Sequence, residues 1–237
     1  MKPLLIADVG LISYAEGLAL QERLVAARKA IAIEDVLILC QHPHVLTMGR
    51  SGNRSNLLAS EHVLRQKNVE LFETNRGGDI TYHGPGQIVG YPILNLDQIK
   101  RDVHWYVRSL EEVMIRATAD FGISSFRVPG KTGIWVEHAG PEEKLAAIGV
   151  HISRWVTSHG FAYNVTTDLR YFDLIIPCGI ADRKATSLEK LLARNVSLAE
   201  VRLRLIERFA EVFGFTPRQM TREELFSQLA VQTSLDK

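Results

Sequence analysis

The chain has 237 residues and a formal net charge of +1, with mean hydropathy near zero; that is room for one large domain, or one domain with a small appendage, around a substantial core. This balance argues against a disordered chain and against nucleic-acid binding by bulk charge. The N-terminal MKPLLIADVG lacks a long apolar run with a cleavage site, and no segment reaches the ~18 consecutive apolar residues of a membrane span. Cys40 and Cys178 stand far apart, outside any CxxC pattern. The expectation is a cytoplasmic protein without membrane or nucleic-acid partners, disulfide framework or cysteine-based zinc site.

Residues 13 to 31, SYAEGLALQERLVAARKAI, place Tyr14, Leu18 and Val25 on one face among charges and predict an amphipathic helix. DVLILC, residues 35 to 40, is a short apolar run that reads as a buried strand. SEHVLRQK (60 to 67) predicts a short helix, VELFET (69 to 74) alternates like a strand, and QIVGYPIL (87 to 94) resumes strand character. From Asp102 to Phe121, Val103, Tyr106, Val107, Leu110, Val113, Met114 and Ala117 recur at helical spacing, with Gly122 as C-cap. Four strand-like runs follow, ISSFRV, GIWVEH, KLAAIGVHIS and GFAYNV, separated by Pro-Gly, Gly-Pro and His-Gly; FDLIIP reads as a fifth that delivers the chain to Cys178. Ser197 with Glu200, and Thr221 with Glu224, match capping-box spacing and predict helices over about 198 to 213 and 222 to 230. Strands mixed with a few helices, without strict βαβ alternation, imply an α+β fold: a mixed, largely antiparallel sheet covered by helices. Residues 1–214 are expected to form the main domain and 215–237 a helical tail, either a small subdomain or part of the same domain.

RGGDITYHGPGQIVGYP, residues 76 to 92, is the densest chemistry in the chain. Gly77, Gly78, Gly84 and Gly86 permit close backbone approach and Pro85 fixes the turn between them, so the stretch can wrap a ligand or make a glycine-rich hairpin. Arg76, Asp79, Tyr82, His83 and Gln87 favour the ligand, because a simple turn does not need so many hydrogen-bonding side chains. The GxGxxG and GxxxxGK[ST] spacings are absent, so phosphate cradling is not indicated.

Cys40 ends an apolar strand and reads as a small buried hydrophobe. Cys178 sits in IIPCGIADRKATS, where an apolar run, a proline and a glycine suit an exposed nucleophile; a buried structural cysteine is the alternative. A nucleophilic thiol needs a base or a cation. His83 is the conventional partner. Lys144 is the other: it opens a run poor in charge, where partial desolvation lowers a lysine pKa, although a solvated strand-end lysine beside Glu142 and Glu143 is the commoner fate. His42, His44, His138, His151 and His159 show no metal-ligand spacing, and no metal or cofactor is expected.

RGGDITYHGPGQIVGYPIL, KLAAIGVHISRWVTSHGFAYNV and FDLIIPCGIADRKATSL, in that order, resemble the lipoyl (octanoyl) transferase family over roughly residues 35 to 190. The resemblance implies the biotin and lipoate protein ligase fold, and a transfer of an octanoyl or lipoyl group from acyl carrier protein to a lysine of a lipoyl domain through a cysteine thioester. Acceptors would be the lipoyl domains of 2-oxoacid dehydrogenase complexes and the glycine cleavage H protein. By the same resemblance Cys178 matches the thioester nucleophile and Lys144 the residue that activates it. Arg76, Gly77, Gly78, Asp79, Ile80, Thr81, Tyr82 and His83, then Ala147, Ile148 and Gly149, then Gly160, Phe161 and Ala162, match the substrate-contacting stretches. His151 stands where a basic residue is expected and Ala185 where valine is usual. An ATP-dependent lipoate or biotin ligase of the same fold, and a non-catalytic acyl or lipoyl-domain binding module, are the competing readings.

Overall fold

The apolar run at residues 35 to 40 is a strand buried on both faces, and the architecture follows from covering it twice. A computed structural model describes residues 2–137, 140–176 and 184–235, with side chains through residue 230. In chain order the elements are β1 (Lys2–Leu11), α1 (Tyr14–Lys29), β2 (Asp35–Gln41), β3 (Val45–Met48), α2 (Glu61–Gln66), β4 (Glu70–Glu73), β5 (Ile80–His83), β6 (Gln87–Ile93), α3 (Val103–Ala119), β7 (Phe126–Val128), β8 (Lys131–Val136), β9 (Glu143–Ser153), β10 (Val156–Asn164), α4 (Leu188–Leu192), α5 (Leu198–Phe213), β11 (Phe215–Met220) and α6 (Arg222–Leu235). Among the described residues, eight strands form one sheet in the order β11-β1-β2-β6-β10-β9-β8-β7, and a second sheet has the order β4-β3-β5. In the large sheet β11 and β2 flank β1 in parallel, and the remaining pairs are antiparallel. The fold is therefore α+β with a mixed, mostly antiparallel sheet, as the sequence implies.

Alternation along the strands sends Leu4, Ile6, Leu37 and Leu39 to a core shared with α3 and α5. Leu5, Ala7, Val36 and Ile38 go to a second core shared with α1 and α6. A strand covered on both faces loses the polar alternation of a half-exposed one, which is why DVLILC reads as a continuous apolar run. The predicted caps are in place: Thr221 N–H donates to Glu224 Oε2 at 2.8 Å and Glu224 N–H to Thr221 Oγ1 at 3.1 Å, and Ser197 Oγ accepts from Glu200 N–H at 3.4 Å. Ser13 and Glu16, not picked out from the sequence, make the same reciprocal pair at the start of α1.

Several elements differ from the sequence reading. The buried face of α1 carries Tyr14, Gly17, Leu20, Gln21, Leu24 and Arg28, while Leu18 and Val25 are only half-buried. This face contains polar groups whose partners are remote: Arg28, paired to the buried Asp35 carboxylate at 2.7 Å, also donates through Nη2 to Gln98 Oε1 at 2.7 Å, and Gln21 Oε1 accepts from His159 N–H at 2.7 Å. Apolar spacing does not mark a face completed by such pairs. FDLIIP is not a strand at its start: residues Leu169–Leu174 form a 3₁₀ turn capped by Asp168, and Ile175 makes an isolated bridge to Leu57. A short apolar run fits either conformation, and here Asp168 Oδ1 accepts from Arg170 N–H and starts the turn. α3 ends at Ala119, and Gly122 closes it as expected: at a φ of 76° its N–H donates to Ala119 O at 2.9 Å while Ile123 N–H donates to Thr118 O at 3.4 Å, a Schellman cap. β1, β3, β5 and β11 have no counterpart in the sequence reading. β11 lies beside β1 as a strand of the large sheet, so the chain after Phe213 is joined to it by backbone pairing.

Candidate active site

The β4-β3-β5 sheet lies over the face of the large sheet made by β6, β10 and β9, and a cavity of about 510 Å³ opens between them. Alternation along β5 decides which of its residues reach that space: Thr81 and His83 line it. Ile80 and Tyr82 point the other way, into a cluster with Leu46, Leu64 and Leu174. The other residues singled out from sequence for substrate contact all line the cavity, as does Lys144. Cys178 lies outside the described residues.

The loop before β5 is held by its own arginine. Arg76 is buried; its Nε and Nη2 donate to Thr47 Oγ1 at 3.2 and 2.9 Å, Nη1 donates to the Gly77 carbonyl at 3.0 Å, and Nη2 also meets the Thr47 carbonyl. Gly77 N–H donates to Val150 O at 2.9 Å, which fastens the loop to β9. Gly149 makes that approach possible, because a Cβ there would lie 2.9 Å from the Gly77 oxygen and 3.0 Å from Arg76 Cδ. Asp79 ties the loop elsewhere: Oδ1 accepts from Asn53 N–H at 3.0 Å and Oδ2 from the Asn56 amide. Asn56 O in turn accepts from Ile176 N–H at 2.7 Å. The loop and the chain entering residue 177 thus share one anchor.

A polar row crosses the cavity floor. Gln87 Nε2 donates to Asn164 Oδ1 at 2.9 Å and to Tyr82 O at 3.2 Å, leaving Oε1 to accept from His83 Nδ1 at 2.8 Å. Burial, reinforced by the nearby His42, pushes His83 down to about 3, so its ring is neutral at neutral pH. A neutral ring is not a cation that stabilises a thiolate. His159, at the positive φ of 55°, is pushed down to about 4 by burial and then by Arg76.

Positive charge collects at the other end. Lys131, Lys144 and Lys184 line the cavity there, and the ammonium groups of Lys144 and Lys131 lie 5.2 and 5.7 Å from the centroid of the Trp135 ring. Cation–π attraction to that ring favours these positions. The backbone of Lys144 donates to Lys184 O and accepts from Thr186 N–H, both at 2.9 Å. The chain that leaves residue 183 is therefore paired to the strand carrying Lys144. Trp135, Tyr91 and Asn164 also line the cavity and were not singled out from sequence; nothing distinguishes them from core residues until strand register brings them to one face.

Residues 13–210 match the family model for the lipoyl protein ligase A/B catalytic domain. The chain belongs to the lipoyl protein ligase A/B family. Within it, an octanoyltransferase of Solibacter usitatus (strain Ellin6076) is 51% identical over 91% of this chain and 95% of its own length, and the chain is an acyltransferase. Among solved structures, a bi-partite lipoate protein ligase from Thermoplasma acidophilum superposes with a TM-score of 0.71 at 16% identity, over 98% of this chain and 92% of that one. The biotin protein ligase of Aquifex aeolicus, in complex with biotin and ATP, gives 0.52 at 16% identity over 90% and 71%. At these identities the structures speak for the fold, which is the one shared by family members and biotin ligases.

Proposed function

We propose that the chain works in the cytoplasm and transfers an octanoyl or lipoyl group from acyl carrier protein to a lysine of lipoyl domains, including those of 2-oxoacid dehydrogenase complexes and the glycine cleavage H protein, through a thioester on Cys178. The observation that carries this reading is the position of Lys144, at the basic end of the cavity and paired through its backbone to the chain just after residue 183. The loop from Arg76, with Ala147 to Gly149 and Gly160 to Ala162, forms walls suited to an acyl chain. Ile80 and Tyr82 act behind that wall.

In the first half-reaction the Lys144 amine takes the Cys178 proton, the thiolate attacks the donor thioester carbonyl, and the carrier thiolate leaves with the proton from Lys144. Exchange of one thioester for another is close to isoenergetic, so no nucleotide is required. In the second, the acceptor lysine amine attacks the acyl-enzyme, its proton passes to Lys144, and Cys178 departs as thiolate, leaving an amide. The three lysines at this end also suit the phosphate of a carrier arm.

Incubation with an octanoyl-carrier thioester should add one octanoyl mass, mapped by peptide analysis to Cys178, and an apo lipoyl domain should remove it without ATP or magnesium. Full transfer by Cys178→Ala would overturn the thioester. Strict ATP dependence with free octanoate as the better donor would turn the reading toward a ligase.

A further inference from the structure

We infer that Glu111 is a positioning residue for Lys144, acting through the backbone of Gly133; this rests on the role proposed for Lys144. Glu111 lies on α3 with its side chain only 2% exposed, in an interface that an apolar residue of similar size would fill without desolvating a charge. Its two oxygens are divided. Oε2 takes the Arg127 guanidinium of β7 at 3.1 Å and that of Arg108 at 2.8 Å. Oε1 takes Gly133 N–H of β8 at 3.1 Å. One buried carboxylate thus fastens both strands of the β7–β8 hairpin to the helix behind them.

That hairpin is the wall against which Lys144 lies. At Gly133 the backbone has a φ of 116°, open to glycine, and a Cβ there would stand 2.8 Å from Lys144 Cε and 2.4 Å from the Ala146 carbonyl oxygen. The lysine stem therefore runs across bare backbone. The pairing of β8 with β9 shifts at the same place: Ile134 faces Ala146, yet Trp135 faces Lys144. Such an irregularity re-aims the side chains beside it, and here it sets the Trp135 ring 5.2 Å from the Lys144 ammonium. Glu111 supplies the acceptor for the backbone donor at the irregular point, which regular pairing would otherwise serve. Without it, the glycine segment and Trp135 are free to relax, and the ammonium moves with them.

Glu111→Leu keeps the volume and removes every polar anchor; Glu111→Gln keeps an acceptor for Gly133 but not the charge facing Arg127. Glu111→Leu should lower kcat of transfer about 10- to 100-fold, the effect of a sub-ångström to ångström misplacement, with the donor KM changed less than about twofold. It should also move the pH curve of Cys178 labelling by iodoacetamide upward, in the sense expected of Lys144→Ala. In a Lys144→Ala background the same substitution should produce no further loss. A multiplicative loss in that background, or an unmoved labelling curve, would mean that Glu111 serves general stability and would overturn the inference. If Lys144→Ala is itself silent, the role of Lys144 and this inference fall together; if Lys144→Ala is impaired and Glu111→Leu is not, this inference alone falls. Should the leucine variant fail to fold, as judged by labelling of buried Cys40, Glu111→Gln decides: its neutral amide oxygen holds Gly133 N–H about half as strongly as the carboxylate does, so a smaller shift of the same sign supports the inference, and none refutes it.

Discussion

The Tyr91 hydroxyl donates a hydrogen bond to Nε2 of the buried His42 at 2.8 Å. The direction is set on the far side of the ring, where Nδ1 lies 2.8 Å from the Ile12 carbonyl oxygen; a carbonyl only accepts, so Nδ1 carries the proton and Nε2 offers its lone pair. Burial holds the imidazole below its ordinary pKa, in keeping with a neutral ring. Tyr91 is also part of the cavity wall, so a hydrogen bond in the second core fixes a surface of the site.

Tyr91→Phe removes the donor and leaves Cys40 Sγ, 3.6 Å from Nε2, as a weak substitute. The expected destabilisation is about 1–3 kcal/mol, toward the lower end because of that thiol. Urea unfolding of the two proteins measures it, and an unchanged midpoint would show the bond to be without net worth.

Acid should unfold the protein through its buried histidines. His83 and His159 have folded values of about 3 and 4 against an ordinary 6.5. The unfolded chain therefore binds protons that the native one refuses as pH falls below about 6.5. Their stabilising contribution is whole above that pH and declines below it, down to about pH 4 for His159 and 3 for His83. Each contributes a slope of about 1.4 kcal/mol per pH unit. His159→Gln should flatten the stability profile by about that amount between pH 6 and 4.5; equal slopes for variant and parent would contradict the assignment.

Ile31 follows α1 at a φ of 59° and is 69% exposed. Ala32 N–H donates to Ala27 O and Ile31 N–H to Arg28 O, the two bonds of a Schellman cap, with a β-branched residue where glycine is usual. Ile31→Gly should stabilise the fold by about 1 kcal/mol, the left-handed penalty less glycine's entropy in the unfolded chain. A lower thermal midpoint would imply that the exposed side chain has a contact worth more than the strain.

Lys144→Arg separates a base from a charge. The guanidinium retains positive charge beside Trp135 but holds its proton at any working pH. Transfer should drop by about 10²- to 10⁴-fold, the usual worth of a positioned base, in a single-turnover assay with an octanoyl-carrier donor. A wild-type rate would reduce Lys144 to a neighbouring charge.

The RGGDITYH stretch was legible as a ligand loop because glycines and hydrogen-bonding side chains seldom crowd together without one, and all but Ile80 and Tyr82 of its residues line the cavity. The two exceptions follow from strand alternation, which needs the element to be known: β5 pairs with β3, and its odd and even positions separate. Glu111 shows the opposite limit. In the sequence it is one more acid on an amphipathic helix, 22 residues from Gly133 and indistinguishable from the half-buried Glu112 beside it.

By itself the sequence determined the fold class, the doubly buried central strand, the starts of the capped helices and the stretches that surround the cavity, because periodicity, capping and glycine chemistry act over a few residues. The tertiary structure decided the rest: which face of α1 is buried, that residues 169 to 174 turn, that β11 completes the sheet edge, that His83 is neutral, and that Lys144 rests on Trp135 and the bare backbone of Gly133. Each of these depends on burial or on a partner far along the chain. A local pattern cannot carry such information, since the free energy of a buried polar group is set by what faces it and not by what precedes it.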